Sequence, residues 1–243
     1  MKRSTNLKDI LGRLASLSSP EVAKATQRFF DTSPTGYAAH DVFIGIRTPQ
    51  LRKLARHYRE VSQDTLEGLL QSTPHEARAL ALMIMVEKYN HSKLETNKEQ
   101  LFQLYCRNLC HINNWDLVDI SAPHLVGKHL QQGEKNIVEQ WATHENLWVR
   151  RIAVVACRPW IQAGDFQTFE TVLQILHTDP HHLIGKALGW MLREVGKVNQ
   201  AHLLQLLHSY APRLAAVTLS YATEHLTSSN REQLRQLRKK STH

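Results

Sequence analysis

Apolar residues recur at intervals of three and four along most of the chain, as in Leu80, Met83 and Ile84. This spacing places them on one face of a helix. No segment alternates with period two for long, and the 10 glycines are few, so the pattern requires no strands. It predicts an all-α protein.

Start signals for helices punctuate this pattern. Thr48 and Asp179 each precede a proline, which is the arrangement of a helix cap followed by proline at the first helical position. Capping boxes, in which a hydroxyl residue is followed three positions later by glutamate, are predicted at residues 73–76, 96–99 and 229–232.

The predicted helices come in pairs. A longer second helix is predicted to start near Pro74, Asn113, Asn146, Pro180 and Pro212, at intervals of 32 to 39 residues. A shorter helix precedes each, at roughly 63–72, 97–110, 134–142, 165–177 and 200–210. This repeat predicts an α-solenoid of HEAT-like helix pairs, a single curved domain over residues 1–243 whose second helices line a concave basic face.

Residues 31–46 are the least helical part of the chain. Ser33, Pro34 and Gly36 predict a turn, and Phe43-Ile44-Gly45-Ile46 predicts a short extended link packed by its apolar side chains.

Composition narrows the class of protein. With 243 residues, of which 42% are hydrophobic, the chain can build a substantial core. The sequence contains no run of 18 apolar residues, so it predicts no membrane span. Asp9 and Arg13 favour an amphipathic N-terminal helix over a signal peptide. The formal net charge of +8 is compatible with a polyanionic partner or with simple solubility.

The three cysteines favour reduced thiols in a cytoplasmic protein. Cys106, Cys110 and His111 could belong to a metal site, but no second ligand pair lies at zinc-finger distance, so we expect no metal.

The most informative stretch is residues 112–119. Trp115 and Asp119 stand four apart, so a helix places an indole and a carboxylate on one face, an arrangement suited to a cation. Pro123 cannot donate to the carbonyl of Asp119 and should kink or stop that helix. Asp116, in the first turn, is expected to serve the helix dipole. The alternative for Asp119 is an ordinary ion pair with Arg151 or Lys128.

Two later helices carry further candidates. Lys186, Trp190, Arg193 and Lys197 form a stripe apart from the apolar side of their helix, which favours contact with a sugar-phosphate backbone. The alternative is a tryptophan at a helix seam. Arg150 and Arg151 follow Trp148 at a helix start, where cations oppose the dipole; one is expected to reach the concave face and the other solvent.

From about residue 24 to 225, the sequence resembles the AlkD-like DNA glycosylases of the DNA alkylation repair superfamily, which are built from HEAT-like repeats. The resemblance rests on the order and spacing of several short motifs: Phe43-Ile44-Gly45-Ile46 with Thr48-Pro49, Trp115-Asp116 with Val118-Asp119, Trp148 with Arg151, and Lys186-Ala187 with Gly189-Trp190 and Leu192-Arg193-Glu194. Arg47 departs from the glutamine expected after Gly-Ile.

The resemblance implies removal of N3- and N7-alkylated purines, such as 3-methyladenine and 7-methylguanine and including bulky cationic adducts, from double-stranded DNA without drawing the base into a pocket. It implies Trp115, Asp119 and Trp190 as the catalytic set and Arg151 as a DNA contact, with Arg150 as the rival. Arg47, Lys186, Arg193 and Lys197 are the other DNA-binding candidates. We expect a monomer in the cytoplasm, associated with the nucleoid, with no cofactor and no obligate protein partner.

The chemistry of the lesion agrees with this set. An alkylated purine is cationic, so its glycosidic bond is already weak and needs no acid. Asp119 could stabilise an oxocarbenium-like sugar and hold the attacking water, as carboxylates do in glycoside hydrolysis. Trp115 and Trp190 could flank the deoxyribose through cation–π contacts. No lysine is placed for a Schiff base, so strand-cleaving lyase activity is not expected.

Two other functions are compatible with the sequence. One is a non-catalytic HEAT-repeat protein that binds damaged or branched DNA. The other is a protein-binding HEAT scaffold, since a fold does not fix a function.

Overall fold

The computed structural model describes residues 6–240, and this part of the chain is helical without a strand. Its helices fall into two compact units, Met1–Leu125 and Val126–His243. The prediction of an all-α protein is confirmed. No helix among the described residues is long and apolar enough to cross a membrane.

The first unit contains seven α-helices among its described residues. They are α1 Leu7–Ser16, α2 Pro20–Gln27, α3 Thr48–His57, α4 Gln63–Leu70, α5 His75–His91, α6 Glu95–Arg107 and α7 Trp115–Ala122. A 3-10 turn, Leu109–His111, joins α6 to α7. Helix α5 is the centre of this unit, because it packs against α3, α4, α6 and α7. Its residues Leu80, Leu82, Ile84 and Met85 are fully buried.

The second unit is built around α12 in the same way. Its α-helices are α8 Asn136–Ala142, α9 Leu147–Ala156, α10 Arg158–Gln162, α11 Gln167–Leu176, α12 His182–Val198, α13 Gln200–Tyr210, α14 Ala216–Ala222 and α15 Ser228–Lys240. Helix α12 contacts α9, α10, α13 and α14. Its predicted apolar side, which includes Ile184, Leu188 and Met191, is buried. A π-helix, Pro123–Gly127, and a 3-10 turn, His129–Gln132, precede α8.

The helices predicted as pairs correspond in chain order to α4 and α5, α6 and α7, α8 and α9, α11 and α12, and α13 and α14. Of these, α4 packs on α5 and α8 packs on α9. The HEAT-like pairing of the others stays a prediction. The expectation that every second helix is the longer one was wrong. Helix α7 has 8 residues against 13 in α6, because Pro123 ends it. Helix α14 has 7 residues and starts at Ala216 rather than near Pro212, which lies in a turn.

Several predicted caps were also wrong. Thr48 is the first residue of α3 and not its cap, and Leu94 precedes α6 without a capping side chain. Helix α12 is capped by His181 and not by Asp179. The Asp179 carboxylate accepts hydrogen bonds from the His181 N–H and from Arg150. Helix α15 starts at Ser228, and the Thr227 hydroxyl accepts from the Asn230 N–H.

The predicted extended link before α3 is present, and Glu76 holds it. The Glu76 carboxylate accepts hydrogen bonds from the N–H groups of Ile44, Gly45 and Ile46, at 3.0, 2.7 and 3.3 Å. It therefore serves this link and not the capping box predicted at 73–76. Gly45 has φ +79°, and a Cβ there would lie 2.0 Å from the carbonyl oxygen of Ser19, so both the conformation and the space require glycine.

Candidate active site

Helix α7 presents Trp115 and Asp119, both of them half-buried. The helix starts at Trp115 because the side chain of Asn114 accepts the Trp115 N–H at 2.9 Å. It stops at Ala122, as predicted from the missing N–H of Pro123. The spacing of four residues places the indole and the carboxylate one turn apart on the same side of this short helix.

The indole of Trp115 is held by an aromatic cluster. Phe30 stacks on it with ring centroids 5.3 Å apart and an interplanar angle of 22°. The same Phe30 ring contacts Phe43 at 4.8 Å and His75 at 5.5 Å. Phe43 in turn lies 4.6 Å from the ring of His75. One face of Trp115 is thus covered by a residue that is itself packed on two other rings.

Asp119 faces a different environment. Its charge acts on Tyr105, a fully buried residue whose hydroxyl contacts the Ser121 hydroxyl at 3.1 Å. Burial raises the pKa of Tyr105, and the negative charge of Asp119 adds to that effect. Asp119 therefore combines partial exposure with proximity to a dry region of the core, which strengthens its field on a neighbouring cation.

A network of charged and amide side chains lies behind the start of α7. It consists of Asp41, His75, Arg78, Asn114 and Asp116, and we call it the α7 clamp. His75 Nε2 lies 2.8 Å from Asp116 Oδ2, and Asn114 donates to Asp41 at 2.7 Å. Arg78 pairs directly with Asp41 and donates to the carbonyl of Thr73 at 2.8 Å. Asp116 thus has a partner beyond the helix dipole, to which the sequence had assigned it.

The clamp favours a protonated His75. Burial alone lowers the pKa of this imidazole, but the hydrogen bond to Asp116 and the charges of Asp116 and Asp41 raise it to about 9. Burial likewise favours neutral Asp41, yet His75 and Arg78 hold the pKa of that carboxyl below its usual value. With His75 protonated, two cations face two carboxylates, and the clamp is electrically balanced.

Trp190 lies on α12 in the second unit. Its ring is half-buried, and the guanidinium carbon of Arg158 lies 5.5 Å from the ring centroid. Lys197 Nζ lies 2.5 Å from Glu194, whose carboxylate is buried and also lies 3.7 Å from Arg158 Nε. Burial opposes ionisation of Glu194, but Lys197 and Arg158 lower its pKa. Trp190 therefore sits among paired charges, with Arg193 held by Glu224 on one side of the helix.

Glycine lets α12 approach α14 closely below Trp190. A Cβ at Gly189 would lie 2.6 Å from both the Thr218 carbonyl oxygen and Tyr221 Cβ. Gly189, the residue before Trp190, therefore allows the close contact between α12 and α14 at this point.

The two arginines of α9 are both occupied inside the second unit. Arg150 Nε donates to Asp179 at 2.7 Å, and its Nη1 donates to the carbonyls of His144 and Glu145. Arg151 is only 4% exposed and donates from Nη1 to the Leu183 carbonyl at 2.6 Å. Arg151 therefore does not face solvent, whereas 17% of the Arg150 side chain is exposed and its hydrogen bonds to His144 and Glu145 lie at the surface. That one of the pair reaches a concave face stays a prediction.

The remaining DNA-binding candidates differ in exposure. Arg47, which precedes α3, and Lys197 are exposed, whereas Lys186 and Arg193 are half-buried. Trp115, Asp119 and Arg47 belong to the first unit, and Trp190 and the other cations to the second.

The sequence did not reveal the partners of these residues. Asp41, His75 and Arg78 lie far from α7 along the chain, and no local pattern pairs them with it. Glu194 was part of the motif Leu192-Arg193-Glu194, but no pattern in the sequence pairs it with Arg158 or Lys197. The described thiols are free, and residues 6–240 contain no group of three metal-binding side chains.

Comparison with known proteins places these features in a family. Residues 10–226 match the family model described as DNA alkylation repair enzyme. No curated protein matches the sequence.

Two solved structures align with this chain, the first of them with a similar fold. A predicted DNA alkylation repair enzyme from Enterococcus faecalis aligns with a TM-score of 0.67 at 19% sequence identity, covering 87% of this chain and 97% of that one. The crystal structure of smu.31 from Streptococcus mutans UA159 aligns with a TM-score of 0.49 at 16% identity, covering 79% and 91%. Since the family model spans most of the sequence, this chain belongs to the DNA alkylation repair enzyme family.

Proposed function

We propose that this protein is a monofunctional DNA glycosylase that hydrolyses the N-glycosidic bond of N3- or N7-alkylated purines in duplex DNA. The observation that carries the proposal is α7, on which a half-buried indole and a half-buried carboxylate stand one turn apart on a helix fixed at both ends. Family membership supplies the class of substrate, which is alkylated DNA.

In this proposal Asp119 is the essential carboxylate. As the bond to a cationic purine breaks, positive charge moves onto the deoxyribose, and a fixed carboxylate stabilises that charge more strongly than water does. The same carboxylate holds and orients the water that attacks the sugar carbon and accepts the proton that this water loses, while the purine departs as a neutral base. No proton has to be given to the leaving group, so a single carboxylate is sufficient.

Trp115, in the first unit, is proposed to contact the sugar through its ring face, contributing about 0.5 to 2 kcal/mol. Trp190, in the second unit, stays the second aromatic candidate of the proposal. Phe30 supports this role for Trp115, because stacking fixes the indole before substrate binds. The base is expected to stay outside any closed pocket, which would allow bulky adducts to react.

The arginine contacts alter the proposed DNA interface. Arg150 and Arg151 are engaged within the second unit, so we assign them to its internal support. Exposed Arg47 and half-buried Lys186 are the proposed phosphate contacts. Lys197 and Arg193 join them only by exchanging their ion pairs with Glu194 and Glu224 for a phosphate.

Release of 7-methylguanine from methylated duplex DNA tests the proposal, with intact protein, Asp119→Asn and Asp64→Asn assayed in EDTA. Asp64 is an exposed aspartate in the first turn of α4 and serves as the matched control. We expect the intact protein and the control to release base, and Asp119→Asn to bind DNA but release it about 100-fold or more slowly.

If none of the three releases 7-methylguanine, 3-methyladenine or a bulky N3 adduct while all bind DNA, the non-catalytic DNA-binding function replaces the glycosylase. If all three proteins release base at equal rates, the glycosylase activity is supported but Asp119 is not its essential carboxylate.

A further inference from the structure

The geometry of the α7 clamp points to His75 as a positioning residue for Trp115, acting through Asp116 and Phe30 as an imidazolium that keeps the start of α7 in place for the proposed glycosylase reaction. This inference rests on the proposed function for its kinetic consequence. Its structural consequence, the orientation of Trp115, can be measured without DNA.

Two separate contacts connect His75 to Trp115. The first is the hydrogen bond from His75 Nε2 to Asp116, the residue next to Trp115, whose other carboxylate oxygen accepts the Leu117 N–H at 2.9 Å. The second is the ring of Phe30, which touches His75 on one side and stacks on Trp115 on the other. A movement of the imidazole would therefore reach both the backbone and the ring of the tryptophan.

Asp41 ties the same helix start down from the loop before α3. It accepts from Asn114, the cap of α7, at 2.7 Å and from Asn113 at 3.4 Å. Asp41 also lies 4.0 Å from His75 Nδ1, an atom that is buried and has no hydrogen-bond partner. His75 is only 3% exposed, and one of its two ring nitrogens makes no hydrogen bond. Its charge and its contact with Asp116, rather than complete hydrogen bonding, therefore account for its position.

The charged groups around His75 explain why protonation matters. Asp116 faces it from α7 and Asp41 from the loop, while Arg78, on its own helix, neutralises Asp41. The remaining neighbours identified above are the rings of Phe30 and Phe43, which carry no charge. Loss of the proton would leave buried Asp41 and half-buried Asp116 with one guanidinium between them, and Asp116 would lose the cation that orients it.

A change of side chain at position 75 separates positioning from simple packing. His75→Arg keeps a permanent cation, and His75→Gln keeps a hydrogen-bonding group without charge. We expect the rate of base release by the intact protein to fall as pH rises through about 9. The rate of His75→Arg should not show this pH dependence. His75→Gln should release base about tenfold more slowly at neutral pH, with unchanged DNA affinity. Initial rates are compared with protein-free DNA at each pH.

The orientation of Trp115 supplies the second measurement. Acrylamide quenching of Trp115 emission is taken as the difference between each protein and the same protein carrying Trp115→Phe, in the absence of DNA. Quenching should increase in His75→Gln and in the intact protein above pH 9, but not in His75→Arg. Circular dichroism confirms that each variant is folded under these conditions.

Unchanged Trp115 quenching in His75→Gln would overturn the inference, whether or not the protein proves to be a glycosylase. A pH dependence of base release that is the same in His75→Arg as in the intact protein would also overturn it. If no protein in the series releases base, the proposed function fails, and the quenching measurement alone decides the role of His75.

Discussion

At the scale of single residues, His75 shows how a buried group can make stability depend on pH. Its pKa is raised from 6.5 to about 9 in the folded protein. The folded state therefore binds the proton more tightly than the unfolded chain does. The resulting stabilisation is fully present below pH 6.5 and disappears as pH rises through about 9.

We predict that the free energy of unfolding of the intact protein falls by about 3 kcal/mol more than that of His75→Gln between about pH 6 and pH 10, since one pKa unit corresponds to about 1.4 kcal/mol. Urea denaturation at several pH values measures this difference. Parallel pH profiles for the two proteins would show that His75 does not carry the proton. Groups outside the α7 clamp are common to both proteins, so the difference reports His75 together with the carboxylate of Asp41, whose pKa it lowers.

Glu76 and Gly45 illustrate a residue-scale feature that the sequence only partly revealed. The sequence predicted an extended link at Phe43–Ile46 because an apolar run with a central glycine precedes a helix start. It could not identify Glu76 as the acceptor for three consecutive N–H groups, since those contacts join residues 30 to 32 positions apart. A capping box was the natural local interpretation of the same glutamate.

At the scale of helices, the same contrast between local and distant interactions appears. The starts of α5, α7 and α9 were predicted to within two residues, because a helix start depends on a few neighbouring side chains. The caps were wrong where a carboxylate was recruited elsewhere, as Asp179 is by Arg150. For the site, Trp115 and Asp119 on one helix face followed from their spacing, whereas the α7 clamp depends on tertiary contacts.

The seam between α12 and α14 gives a prediction at this scale. Gly189→Ala should lower the free energy of unfolding by about 1 to 3 kcal/mol, because its Cβ would lie 2.6 Å from the backbone of Thr218 and α14 would have to move. Thermal and urea denaturation measure the change.

Gly12→Ala is the matched control. It makes the same substitution within α1 at a glycine whose added Cβ would meet nothing within 4 Å. The change should stabilise the protein by about 0.5 to 1 kcal/mol through helix propensity. Similar effects of the two substitutions would mean that close packing at Gly189 does not constrain the seam.

At the scale of the whole molecule, the net charge of +8 becomes meaningful only when the positions of the charges are considered. Many cations are engaged in the folded units: Arg78 by Asp41, Arg150 by Asp179, Arg193 by Glu224 and Lys197 by Glu194. Part of the positive charge therefore supports the fold. The proposed DNA interface should depend on a smaller set of side chains than the composition indicates.

Arg47 tests this localisation, because it is exposed and is one of the proposed phosphate contacts. If Arg47 neutralises one phosphate, Arg47→Gln should reduce the slope of log K against log salt concentration for duplex DNA by about 0.9, with little change in the rate of base release once DNA is saturating. Lys8 is an exposed residue of α1, and Lys8→Gln removes the same charge but should leave the slope unchanged. Binding is measured by fluorescence anisotropy at several salt concentrations. Equal reductions in both variants would indicate that net charge, and not a defined phosphate contact at Arg47, governs DNA binding.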